Sequence, residues 1–158
     1  MKDKYTYCIF FLMLFCSCKK EVVNSIDTNE TNALLTTINK LRLTGCMCGA
    51  DSMPATKLLV VNSLLSTTAK NYADDMNLRN FFSHISPEGT SPIQRAILTG
   101  YTGPFVGEIL GRNYFSVNAV MAAWQSSPEH CKAMMDADFT EMGAGRSGNY
   151  WVANFGRK

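Results

Sequence analysis

The chain of 158 residues contains only two histidines, and each lies in a dense local pattern. The first is in Asn80-Phe81-Phe82-Ser83-His84-Ile85-Ser86-Pro87-Glu88-Gly89-Thr90, the second in Trp124-Gln125-Ser126-Ser127-Pro128-Glu129-His130-Cys131. Between them Glu108 interrupts the apolar stretch Val106-Gly107-Glu108-Ile109-Leu110. Two imidazoles and a carboxylate drawn from three separate segments are the ingredients of a divalent-metal site or an acid-base site. The expectation is that His84, Glu108 and His130 converge in one cleft as metal ligands. The same three are the candidates for any catalysis.

A carboxylate in an apolar segment must be paired or directed into a cleft. For Glu108 the bland alternative is an ion pair with Arg95, Arg112 or Arg146. Ser83 invites a nucleophile reading, but the glycines of a nucleophile elbow do not surround it. Asp74 and Asp75 are adjacent on a predicted helix, about 100° apart, and read as a solvated face. Cys131 directly follows His130, so if the imidazole faces a cleft the thiol is turned away from it.

The positioning elements follow from periodicity and capping. A helix is predicted from about Glu30, with Leu34, Ile38 and Leu41 on one face and Gly45 at its end. The stretch from Cys46 to Pro54 reads as a loop. Val61, Leu64, Leu65, Thr68, Tyr72 and Met76 then recur at helical spacing, delivering the chain to Phe81 and Phe82, read as core anchors just before His84. Ser91-Pro92-Ile93-Gln94 combines a serine cap, proline at the first helical position and glutamine three residues after the cap. The helix it opens should end at Gly100.

A turn at Tyr101–Pro104 leads to a predicted strand from Phe105 to Leu110. Ser116 caps a helix with Val117, Val120, Met121 and Trp124 on its apolar stripe. Ser127-Pro128 restarts the pattern, placing His130 in the first turn of a new helix, where peptide N–H groups disfavour imidazolium. Glu141–Arg146 and Tyr150–Phe155, around Ser147-Gly148-Asn149, read as a hairpin. This order of elements predicts an α+β domain with helices covering an antiparallel sheet.

The chain ends and composition bound the setting. Lys2 and Lys4, the apolar run Tyr7–Phe15 and small Ser17 before Cys18 read as an export signal, too short to span a bilayer as a helix. Cleavage before Cys18 resembles processing of a bacterial lipoprotein, despite Phe15 where leucine is usual and the competing Cys16. The expected organisation is a signal peptide at 1–17, a polar tether at 18–29 beginning with lipidated Cys18, and one domain at 30–158. With 46% hydrophobic residues over the whole chain there is material for an ordinary core. Removing residues 1–17 lowers the net charge from +2 to +1, a balance that makes no case for nucleic acid.

Cys46, Cys48 and Cys131 remain in a compartment that permits disulfides. A bridge from Cys131 to either Cys46 or Cys48 is expected, since joining the latter two would close a small, strained ring. Closing a loop of about 85 residues stabilises by about 4 kcal/mol in the chain-entropy account. One thiol is left over.

Several motifs, in consistent order over roughly residues 30–157, resemble the CAP superfamily of cysteine-rich secretory proteins, antigen 5 and pathogenesis-related proteins, in particular its short bacterial members. They are Phe82-Ser83-His84-Ile85-Ser86-Pro87-Glu88-Gly89-Thr90, Arg95, Gly100-Tyr101, Val106-Gly107-Glu108, Ala122 through His130, Phe139 through Gly145, and Tyr150-Trp151-Val152 with Phe155-Gly156. The resemblance implies a three-layer α-β-α sandwich with a central, mainly antiparallel sheet. It also implies a cleft carrying two histidines and two acidic residues, in which some members bind zinc or another divalent ion. His84, Glu108 and His130 match three of those four positions. The fourth is Ser127, a residue that would line the cleft, and Ile109 stands where asparagine is usual.

The resulting expectation is a monomeric CAP-domain lipoprotein of the bacterial cell envelope, held to a membrane through Cys18. The outer membrane, on its periplasmic or surface face, is the expected location. Its cleft is expected to bind zinc or another divalent cation and a small or extended ligand, whether small molecule, lipid, peptide or envelope component. A metal-assisted peptide or ester hydrolase and a non-catalytic envelope or host-interaction protein are the alternatives, with enzymatic activity the less expected outcome.

Overall fold

The structure, a computed structural model, describes residues 23–104 and 106–157. The expected signal segment and lipidated Cys18 lie outside the described residues. The element order is α1 (Val23–Thr44), β1 (Cys46–Cys48), β2 (Asp51–Met53), β3 (Val60–Val61), α2 (Ser63–Arg79), α3 (Pro92–Leu98), β4 (Val106–Arg112), α4 (Val117–Ser126), α5 (Pro128–Met135), β5 (Glu141–Ser147) and β6 (Tyr150–Gly156).

The main sheet has the order β3-β5-β6-β4. Its two long pairings, β5 with β6 and β6 with β4, are antiparallel, and β3 adds a short parallel pairing to β5. Alternation along the strands sorts the side chains into two faces. Ile109, Met142, Ala144, Trp151, Ala153 and Phe155 pack with Leu34 and Ile38 of α1, Val120, Met121 and Trp124 of α4 and Met134 of α5. On the opposite face, Leu110, Tyr150 and Val152 meet Ala69, Tyr72, Ala73 and Met76 of α2. Val106 meets Ala96 of α3 there. The domain is therefore an α-β-α sandwich, with β4 at the sheet edge.

Close approach of α2 is possible because β5 presents glycine to it. A Cβ on Gly143 would stand 2.0 Å from the Ser66 backbone nitrogen, and one on Gly145 2.3 Å from that of Lys70. On the other side, the Arg42 guanidinium is fully buried and donates to the carbonyls of Lys57, Met134, Asp136 and Phe139 at 2.7–2.9 Å. Burial pulls its pKa down from the ordinary arginine value. These bonds tie α1 to the segment between α5 and β5.

The caps behave as their sequences imply. Ser91 and Gln94 form a capping box at α3, the Ser116 hydroxyl accepts from Ala119 N at 3.2 Å, and β5 and β6 turn through Gly148-Asn149. Several expectations need correction. Helix α1 starts at Val23, ahead of the predicted start at about Glu30. No glycine or proline falls between Lys19 and Thr44 to break it.

The stretch after Gly45 is a hairpin rather than a loop, because Gly49 at φ +65° supplies a two-residue Gly-X turn. Val61 lies in β3, and α2 begins only after Asn62, whose side chain accepts from Leu64 N and Leu65 N. Phe82 is not a core anchor but is exposed, while Phe81 packs beside the α2 cluster.

Candidate functional site

His84 sits in the loop that follows α2. Asn80 closes that helix in the left-handed region at φ 52°, its N–H bonded to the Met76 carbonyl. The Tyr72 hydroxyl then donates to Ser83 O at 2.6 Å, and burial pushes that phenol up to about 12, so it remains a donor. Farther along, Ser86 N bonds Thr90 O and Gly89 N bonds Ser86 O, closing a compact turn. Arg79 pairs with both Asp75 and Glu88, holding the turn against the end of α2.

Arg95 of α3 organises the same loop from beneath. Its Nη1 donates to His84 O at 3.1 Å and to Thr90 O at 2.7 Å. The guanidinium carbon lies 3.3 Å from the centroid of the Tyr72 ring, a stacked cation–π contact. Its Nη2 donates to Glu108 Oε2 at 2.7 Å. One side chain thus fixes the backbone of one candidate ligand and the carboxylate of another.

Glu108, on β4, has a side chain 1% exposed. With Oε2 paired to Arg95, its Oε1 meets His84 Nδ1 at 2.9 Å. A carboxylate accepts, so Nδ1 is the donor of this bond, and in the neutral imidazole Nε2 then carries the free lone pair. The His84 side chain is 53% exposed. The ring is oriented from behind by a buried carboxylate and open to solvent in front.

His130 is the third residue of α5, placed where α4 ends at Ser126 and Ser127 serves both helix ends. Ser127 does so through its backbone, accepting from Cys131 N at 2.9 Å and donating to Ala123 O at 3.2 Å. Its hydroxyl makes no capping bond, in contrast to the expected serine cap. The His130 pKa is lowered first by burial and then by the positive charge His84 can carry, with Glu129 opposing. Both of the lowering causes favour the neutral form of His130, the form that ligates metal.

The ligand atoms of His84, Glu108 and His130 do not all lie within 4.8 Å of one another; among the described residues only the trio Cys46, Cys48 and Cys131 does. The structure therefore brings His84 and Glu108 into direct contact, while His130 stands apart from that pair. Ile109, which stands where asparagine is usual, points to the opposite face of β4 and is 1% exposed in the main core. Glu108 is held by Arg95 and His84. Arg112 and Arg146 are engaged elsewhere, with Asn80 and Glu30 respectively.

Arg95 entered the sequence reading as a possible ion-pair partner, and its grip on the His84 loop went unseen. The available signal was the capping box that places it on the second turn of α3. No local sequence pattern marks Asn154. It lies across from Glu108 in the β4–β6 register, fully buried, with no hydrogen-bond partner for either amide atom.

Cys131 turns from the cleft into a separate cluster and bridges Cys48, with Cα atoms 5.4 Å apart. That resolves the choice left open between Cys46 and Cys48.

Together these features define an extensively helical sandwich whose edge strand brings a carboxylate to an exposed imidazole. The chain belongs to the CAP, or cysteine-rich secretory protein, family, whose sequence profile matches residues 35–155. An uncharacterised protein of Bacillus subtilis, YkwD, is 31% identical over 101 residues, 63% of this chain and 39% of that protein. An extracellular SCP-domain protein of Bacillus anthracis superposes with a TM-score of 0.75 at 22% identity, over 85% of this chain and 42% of that one. An outer surface protein of Borrelia burgdorferi gives 0.68 at 25% identity, over 82% and 93%. The fold is also that of NaASP2, solved with Zn2+, at a TM-score of 0.54 and 14% identity over 84% and 80%. This chain thus spans about two fifths of the first two of these relatives.

Proposed function

We propose that this protein is an extracytoplasmic binding module, held to a membrane through lipidated Cys18, whose cleft takes a divalent cation and an organic ligand. The observation that carries this reading is the 2.9 Å bond from His84 Nδ1 to the buried Glu108. A carboxylate behind an imidazole fixes its tautomer and raises the basicity of the outward nitrogen, the usual arrangement behind a metal-ligating histidine. His84 Nε2 and the neutral His130 would hold the ion directly, while Glu108 orients His84. The chemistry of the donors fits zinc, which would polarise a ligand oxygen at an open coordination position.

Arg95 neutralises Glu108, so the pair adds little net negative charge to attract a cation. A modest affinity follows. Exposed Phe82 and Ile85 flank His84 along the chain and offer apolar contact to a bound ligand. The relatives described as extracellular and outer surface proteins support an envelope location. Hydrolysis is the weaker reading, since both oxygens of Glu108 are engaged within the protein.

Calorimetric titration with zinc tests the assignment. Wild type should bind one ion in the cleft, and His84→Ala and His130→Ala should each weaken binding at least about tenfold. Unchanged binding in both variants would end the proposal. Glu108→Gln should cost about 10- to 100-fold, the usual range for a residue that orients a ligating histidine.

A pH series provides a second check. Because the His130 pKa is lowered in the fold, the unfolded chain binds its proton more readily. Stability should therefore be fully present above the ordinary histidine value of 6.5 and decline as pH falls below it. Urea midpoints measured between pH 7.5 and 5 should show that decline in wild type and a smaller one in His130→Gln. Equal slopes would contradict the cause assigned.

A further inference from the structure

The sulfur cluster on the far side of α5 carries chemistry that the cleft does not use. Cys46 Sγ lies 3.9 Å from Cys48 Sγ and 3.8 Å from Cys131 Sγ. Being almost equidistant from the two bridged sulfurs, it stands broadside to their bond rather than along its axis, where an attacking thiolate must be. Its separations have another meaning. Thiolates bind zinc tetrahedrally at about 2.3 Å, which sets neighbouring sulfurs about 3.8 Å apart.

We propose that Cys46, Cys48 and Cys131, once the Cys48–Cys131 bridge is reduced, form a three-thiolate site for a thiophilic divalent cation. An external dithiol reduces the bridge: two electrons and two protons pass to Cys48 and Cys131, and the dithiol leaves as its cyclic disulfide. The cation then displaces the three thiol protons. An external disulfide closes the bridge again: it takes the two electrons with two protons and leaves as its dithiol, which removes two ligands and releases the ion.

The scaffold does not depend on the bridge alone. Cys46 and Cys48, two apart on β1, face the same way, while Met47 between them is exposed. Gly45 at φ +76° and Gly49 at φ +65° shape the hairpin ends, and Gly49 packs so closely on Pro128 that a Cβ would meet its ring at 2.9 Å. Lys132 Nζ and Asp51 Oδ2, 2.7 Å apart, tie hairpin to helix. Leu41, Met53 and Met135 enclose the sulfurs, surroundings that suit a soft ion over a hard, hydrated one.

The test uses the full chain with Cys8, Cys16 and Cys18 changed to serine, titrated with Cd2+ alone, with and without a phosphine reductant. Ultraviolet sulfur-to-cadmium charge transfer reports thiolate binding, and circular dichroism follows the fold. The reduced chain should show the band at about one ion per chain and the oxidised chain should lack it. Cys46→Ser should weaken binding at least tenfold, whereas the His84→Ala/His130→Ala double variant should leave the band unchanged. Absence of the band in the reduced chain, equal affinity in Cys46→Ser, or a reduced chain that is unfolded and stays so with Cd2+ would each overturn the proposal.

Discussion

Replacing Arg95 by methionine should destabilise the domain by about 3–5 kcal/mol, the usual result of stripping one partner from a buried ion pair. The Glu108 side chain is 1% exposed and its Oε2 has Arg95 at 2.7 Å, so without the guanidinium its charge is left in a poorly hydrated place. Methionine keeps much of the volume over the Tyr72 ring but supplies no donor for Glu108, His84 O or Thr90 O. The loss should thus reach beyond stability to the loop that carries His84. Urea denaturation of Arg95→Met and of the double variant Arg95→Met/Glu108→Leu separates the two effects. The double variant should recover a large part of the lost stability, because no unpaired charge remains, yet zinc affinity should stay low. A single variant costing under about 1 kcal/mol, the level of an exposed pair, would contradict the burial argument.

Gly143→Ala should be at least as severe, at more than about 3 kcal/mol, beyond the ordinary cost of overpacking. The added methyl would stand 2.0 Å from Ser66 N and 2.3 Å from Leu65 C. Both are backbone atoms of α2, which cannot rotate aside as a side chain can. The helix would have to lift from the sheet, carrying away Tyr72, whose hydroxyl holds Ser83. A loss of that size consumes much of a small domain's stability, so the variant should be largely insoluble or melt far below wild type. Gly89→Ala provides the contrast. Nothing lies within 4 Å of a Cβ there, but φ is +84°, so only about 1–2 kcal/mol of backbone strain is expected. Similar melting temperatures for Gly143→Ala and wild type would show that α2 does not sit where the close approach requires.

The legible parts of this molecule were those written in short-range patterns. Ser91-Pro92-Ile93-Gln94 and Ser116 specify helix starts through atoms only a few residues apart, and they appear as caps in the structure. The final hairpin and the apolar stripe of α4 were visible for the same reason. Contacts between distant segments were harder to read. The pairing of Val60-Val61 with Glu141-Met142 leaves no local trace in two exposed valines, so Val61 was absorbed into a neighbouring helical period.

At the candidate site, His84 and Glu108 stood out because charged or titratable types are rare in their surroundings. The grip of Arg95 on the His84 loop depends on carbonyls, which every residue possesses and no sequence pattern marks. Ile109 shows the same limit in reverse. Adjacent to Glu108 in sequence, it faces the other side of the sheet, a fact set by strand alternation once Glu108 is placed toward α3.

The most direct test of the central claim is zinc K-edge X-ray absorption on the oxidised protein loaded with one equivalent of zinc. The two-histidine cleft predicts nitrogen and oxygen ligands at about 2.0 Å with imidazole outer-shell scattering. That imidazole scattering should disappear in His84→Ala/His130→Ala. A spectrum dominated by sulfur at about 2.3 Å, or one unchanged in the double variant, would contradict it and place the ion away from Glu108.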